Sequence, residues 1–176
     1  MSAEPSNDFI AKLPLIVPWI DDLLARYENQ ARSVSSYGFP KLPLYYPQDL
    51  LEFAKAVVVP NVPIPPLLEM GLGGLGDFDQ NEYSGITFKN FYFVRESEAS
   101  IESLHFHELI HVIQWNRLGV NGFLLTYAQG LAHFGYRNSP LEKMAYQLQE
   151  SFESSDEPFN VVTEVDRLLS KLQLNP

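Results

Sequence analysis

Residues 101–118 read IESLHFHELIHVIQWNRL. Apolar side chains at Leu104, Phe106, Leu109, Ile110, Val112, Ile113 and Trp115 fall so densely that a helix here is apolar nearly all round, the mark of a buried helix. Within it, HELIH at 107–111 sets His107 and His111 one turn apart on one face, where both imidazoles can reach a single ion. Glu108 stands about 100° round the helix, placed to reach past such an ion toward a bound water. A chain of this composition, once shuffled, contains on the order of 0.01 such matches. Two imidazoles and a carboxylate in apolar surroundings are costly unless paired, protonated or metal-bound.

The rest of the chain frames this segment. Lys and Arg total 12 against 22 Asp and Glu, a net charge of −10, which argues against nucleic acid and against anionic membranes as partners. Residues 103–138 hold only Glu108, Arg117 and Arg137 as fixed charges, and all four histidines fall there, at 105, 107, 111 and 133. There is no cysteine, so disulfides, thiolate metal sites and cysteine nucleophiles are excluded and any site uses N and O donors. LPLIVPWI is broken by two prolines and followed by Asp21 and Asp22, so no signal peptide or membrane span is expected and a cytoplasmic address follows.

Residues 1–12 read as a flexible polar tail and 13–176 as one domain, since 45% hydrophobic and 13% aromatic content suffices for a single core. Pro18 opens a helix with Ile20, Leu23, Leu24 and Tyr27 at helical spacing. A short helix follows Pro47, and VVVPNVPIPP suits a sheet edge or coil better than a central strand. GLGGLG at 71–76 matches a dinucleotide-binding pattern by letter. PIPP before it and acidic DFDQNEY after it argue instead for a flexible loop, a flap over a cleft. YSGITFKNFYFV carries the strongest strand signal, a strand from Gly85 to Val94. The central helix should stop at Gly119, a second should run from about Gly122 to Phe134 and stop at Gly135, and a third should start at SPLE with Ser139 as cap and Glu142 completing a capping box. Val161, Val162, Val165, Leu168, Leu169 and Leu172 mark a final amphipathic helix.

From about residue 85 to 147 the chain resembles the zincin metallopeptidases, in particular the gluzincin type, in which a glutamate on a later helix is the third zinc ligand. The later helix of small members often carries glutamate followed by x-x-Ala. LEKMAY matches with Glu142 in the ligand position, 31 residues after His111, and Ala145 as the small residue. The acid that often follows that alanine is Tyr146 here. The resemblance implies an α+β, mostly helical fold with the metal helix packed on a small β-sheet. It also implies Zn2+ held by His107, His111 and Glu142, and Glu108 as the base of a peptide-bond hydrolase acting on a peptide or protein substrate. Glu142 has a competing use as partner of the Ser139 cap, and His133 is the rival third ligand. Tyr127, Tyr136, Tyr146 and Gln114 are candidates for oxyanion donor or substrate contact, and His105 points away from the metal face. Two other functions share these residues: a non-catalytic binding module stabilised by its metal, and a zinc amidohydrolase acting on a small molecule.

Overall fold

In the computed structural model, residues 7–73 and 83–172 are described. The aromatic run at 83–94 folds as a hairpin rather than as one strand: β3 (Gly85–Phe88) turns through Lys89 and Asn90 into β4 (Phe91–Arg95), with Ile86 opposite Phe93 and Thr87 opposite Tyr92. The turn needs a left-handed residue, and Lys89 supplies it at φ 59° while its ammonium pairs with Asp21. Sequence alone hid the turn because neither central residue is glycine.

β4 also pairs in parallel with β2 (Lys55–Val59), and β1 (Arg32–Ser33) pairs antiparallel with the start of β2, giving the order β1-β2-β4-β3. The valines expected at an edge or in coil therefore belong to an inner strand. Pro60, Pro63, Pro65 and Pro66 all lie beyond its last residue, where no ladder bond is needed. β1 covers only Lys55 and Ala56, so Val57 to Val59 are paired on one side alone.

Helices lie on both faces of this sheet. α1 (Asn7–Lys12) makes the expected tail helical from Asn7, residues 1–6 lying outside those described, and α2 (Ile16–Tyr27) follows. Trp19 and Tyr27 of α2 meet Phe88 and Phe93 edge-on at 5.5 and 5.3 Å. Thr87 and Tyr92 point the other way, to Glu108 and His105. A sheet covered on both faces calls for nearly continuous apolar runs, which is why these strands show no clean alternation. Two short helices, α3 (Leu42–Tyr45) and α4 (Gln48–Phe53), link β1 to β2.

The central segment forms α5 (Glu102–Phe134), broken at Gly119, where φ 68° and ψ 173° are not helical. Trp115 and Phe123 stack at 4.0 Å, although eight residues of straight helix would separate them by about 12 Å along the axis. The second segment thus folds back over the first, and the stop expected at Gly119 is a sharp reversal. α6 (Pro140–Ser154) and α7 (Val161–Leu172) then pack on α5, α7 through Val161, Val165 and Leu169. Their buried side chains join those of the sheet in one core. The fold is α+β and mostly helical, with a small mixed sheet against the long helix. Of the glycine run at 71–76, residues 74–76 lie outside those described.

Candidate metal centre

The first segment of α5 is pinned to β3 on one side: Trp115 Nε1 donates to the Thr87 carbonyl at 3.1 Å, and the Thr87 hydroxyl donates to Glu108 Oε2 at 2.6 Å. Its other side carries His107 and His111, whose Nε2 atoms approach to 3.1 Å. α6 crosses this face with Ala145 fully buried, and brings in Glu142. Glu142 Oε2 lies 3.3 Å from His107 Nε2, and Oε1 lies 3.4 Å from His111 Nε2. All three side chains are buried.

What each nitrogen carries follows from its outer neighbours. Gln114 donates through Nε2 to the Leu141 carbonyl at 3.1 Å, which fixes its amide so that Oε1 accepts from His111 Nδ1 at 2.8 Å. Gln149 donates to Glu153 and accepts from His107 Nδ1 at 3.0 Å by the same logic. Each imidazole thus holds a proton on Nδ1 and turns its Nε2 lone pair inward. Glu142 Oε1 accepts from the Tyr127 hydroxyl at 2.6 Å, while Oε2 is buried and accepts no hydrogen bond. Two lone pairs and a carboxylate oxygen converge with no donor between them, an arrangement that only a cation relieves.

In the chain alone a proton has to serve. Burial works to lower the pKa of His111, but the charge and hydrogen bonding of Glu142, helped by Glu108, push it up to about 9. Burial works to raise Glu142, and the charge of His111 with the close approach of both imidazoles holds it well below the usual carboxylate range. A zinc ion suits the same space. Ligands about 2.0–2.2 Å from a tetrahedral zinc stand about 3.4 Å from one another; the two Nε2 atoms are 3.1 Å apart, and each lies 3.3–3.4 Å from one of the two oxygens of Glu142.

No known family, curated protein or solved structure matches this chain. The centre has to be understood from its own atoms.

Among the described residues, His107, His111 and Glu142 are the group whose ligand atoms all lie within 4.8 Å of one another. The rival ligand His133 is not with them: on the far segment of α5, its Nδ1 pairs with the Gln129 carbonyl of its own helix at 2.8 Å. His105 is fully buried between the Tyr92 hydroxyl at 2.7 Å and the Ala99 carbonyl at 2.9 Å, a structural role. The expected capping box does not form. Ser139 makes no side-chain cap bond, and Glu142 turns from its helix start to the histidines. Close packing of Ser139 on Gly130, where an added Cβ would come within 2.9 Å, leaves its hydroxyl buried and unpaired.

Glu108 stands beside the centre without facing it as a ligand. Burial raises its pKa, and the charges of His107 and His111 with the Thr87 bond only partly offset this. Its Oε1 lies so near Gly85 that a Cβ there would sit 2.4 Å away. Two cavities meet at this carboxylate. One, of ≈ 70 Å³, is apolar and bounded by His111, Trp115, Phe123 and Glu142. The other, of ≈ 590 Å³, is polar and bounded by His107, Tyr136, Arg137 and Tyr146. Of the four hydroxyl or amide candidates, Tyr127 and Gln114 are committed to orienting Glu142 and His111, whereas Tyr136 and Tyr146 line the polar cleft.

Three contributors escaped the sequence reading. Gln149 was findable, since Glu142, Tyr146 and Gln149 follow i, i+4, i+7 spacing along one face of α6. Thr87 and Gly85 had no local signal, because their roles depend on how β3 lies against α5.

Proposed function

We propose that this chain is a zinc-dependent hydrolase whose favoured substrate is a peptide bond, with His107, His111 and Glu142 as ligands and Glu108 as general base. The observation that carries the proposal is the convergence of three buried, donor-free ligand atoms beside a second carboxylate, Glu108, that is held apart from them and faces an open cleft. A bound zinc would supply Lewis acidity and lower the pKa of a coordinated water to about 7.

The chain's own groups divide the remaining work. Thr87 occupies Glu108 Oε2 and leaves Oε1 as the atom that takes the proton of the attacking water and returns it to the leaving amine nitrogen. Gln114, Gln149 and Tyr127 keep the ligand atoms aimed, so the histidines present Nε2 and not Nδ1. Tyr136 and Tyr146 offer hydroxyls to the oxygen on which negative charge develops. β3 ends the sheet and its Gly85 borders the cleft, so an extended peptide can pair along its outer edge, which favours a peptide over a compact amide. Cytoplasm is the compartment proposed, since a chain without cysteine draws nothing from an oxidising one. Among the described residues no helix is long and apolar enough to cross a membrane.

The test is metal analysis of untagged protein, followed by comparison of the native chain with Glu108→Gln on a broad peptide library. One zinc per chain is expected in both, with turnover about 10²–10⁴-fold lower in the variant. Absence of zinc overturns the metal assignment, and full turnover by Glu108→Gln overturns the base.

A further inference from the structure

Among the described residues, Arg137 is the one Lys or Arg lining the polar cleft, in a chain of net charge −10. It is exposed and forms no ion pair with the described residues; its partner among them is the ring of Tyr146, over which its guanidinium lies 4.7 Å from the centroid. Tyr146 in turn stands 4.6 Å, ring to ring, from His107. A cation–π contact orients a guanidinium without neutralising it, so its N–H fork stays available to an anion. The acids that share the cleft, Glu98 and Glu108, do not take that role: neither pairs with Arg137, and Glu108 is bonded to Thr87.

From these contacts we infer that Arg137 binds a carboxylate of the substrate, and that the substrate class is a short peptide bearing a carboxylate one or two residues from the scissile bond. The inference rests on the hydrolase reading of the centre. The spacing follows from the stack: Arg137 lies within about 9 Å of the His107 ring, and an extended residue spans about 3.3–3.6 Å. A planar fork and a carboxylate meet through two parallel hydrogen bonds, and each charge-assisted bond is about twice as strong as a neutral one. Either a free C-terminus or an acidic side chain provides that group.

The experiment uses the full zinc-loaded chain carrying Glu108→Gln, so that bound peptide is not consumed. Three probes are titrated by calorimetry: a blocked tripeptide with a free C-terminal carboxylate, its C-terminal amide, and the amide with one internal Asp. A carboxylate probe should bind about tenfold more tightly than the plain amide. That advantage should disappear on adding Arg137→Gln, return in part with Arg137→Lys, and shrink as salt is raised. Which of the two carboxylate probes gains identifies the source. Equal binding of all three probes, or an advantage that survives Arg137→Gln, overturns the inference. The salt series needs no Arg137 variant, so it holds even if a substitution disturbs folding. Zinc content and the effect of Glu108→Gln on turnover are scored separately, so failure of the hydrolase reading is distinct from failure of this one.

Discussion

Gly85→Ala tests the arrangement of Glu108 without assuming any metal. An added methyl would lie 2.4 Å from Glu108 Oε1, 2.8 Å from Cδ and 3.1 Å from Cγ, about 1 Å inside ordinary contact distance. The carboxylate has little room to withdraw, because it is 3% exposed and its other oxygen holds the Thr87 hydroxyl at 2.6 Å. Overpacking of this kind costs about 1–3 kcal/mol, which for a chain this size lowers Tm by about 2–12 °C. In a Glu108→Ala background the obstacle is gone, and only the intrinsic preference of a strand for alanine over glycine remains, about 0.5–1 kcal/mol in the opposite direction. The same substitution should therefore change sign between the two backgrounds, a coupling of about 1.5–4 kcal/mol measured by denaturant or thermal unfolding of all four proteins. Equal destabilisation in both backgrounds would place the cost in the strand and refute the reasoning, as would no destabilisation in either. If the carboxylate moves by about 1 Å, turnover should fall about 10²-fold while zinc content stays unchanged.

Other substitutions separate roles around the same centre. Gln114→Leu leaves His111 Nδ1 without a partner and removes the second bond to the helical Leu141 carbonyl, so competition titration should find zinc about 10–100-fold weaker and unfolding should show a loss of about 1–3 kcal/mol. Gln149→Ala should weaken zinc about tenfold with little loss of stability, because water can reach the place beside His107 Nδ1 that the half-buried Gln149 vacates. His105→Phe should cost about 1–3 kcal/mol by orphaning the Tyr92 hydroxyl and leave zinc stoichiometry at one, as a structural histidine requires. Burial holds the pKa of His105 below its ordinary 6.5, so the unfolded chain takes up the proton first. Its contribution to stability is complete above pH 6.5 and is lost as pH falls toward the folded-state value, a dependence that unfolding curves of His105→Phe should lack. Chelation should lower Tm of the native chain and added zinc should restore it in proportion to the logarithm of its concentration, with no response in Glu142→Ala.

How much of this could be read from the chain depends on the range over which each feature is decided. The buried helix, its break at Gly119 and the pairing of His107 with His111 are settled within a few residues, and each stands where the sequence put it. The Lys89 turn and the inner position of β2 are settled by partners 30 or more residues away: Asp21 pairs with Lys89, and β4 aligns Lys55 with Phe91. No local pattern carries that information. Glu142 lies between these cases, because Ser139 and Glu142 have the spacing of a capping box and LEKMA has that of a ligand helix. Energies decide between them. A cap contributes about 0.5–2 kcal/mol, whereas stripping a buried charge of its partner costs about 3–5 kcal/mol. Once Ala145 lets α6 lie against the histidine face, the carboxylate is stabilised more by His107 and His111 than by its own helix start, and the serine cap is forgone. The same balance explains the orphaned Ser139 hydroxyl, a small buried penalty tolerated beside a larger electrostatic gain.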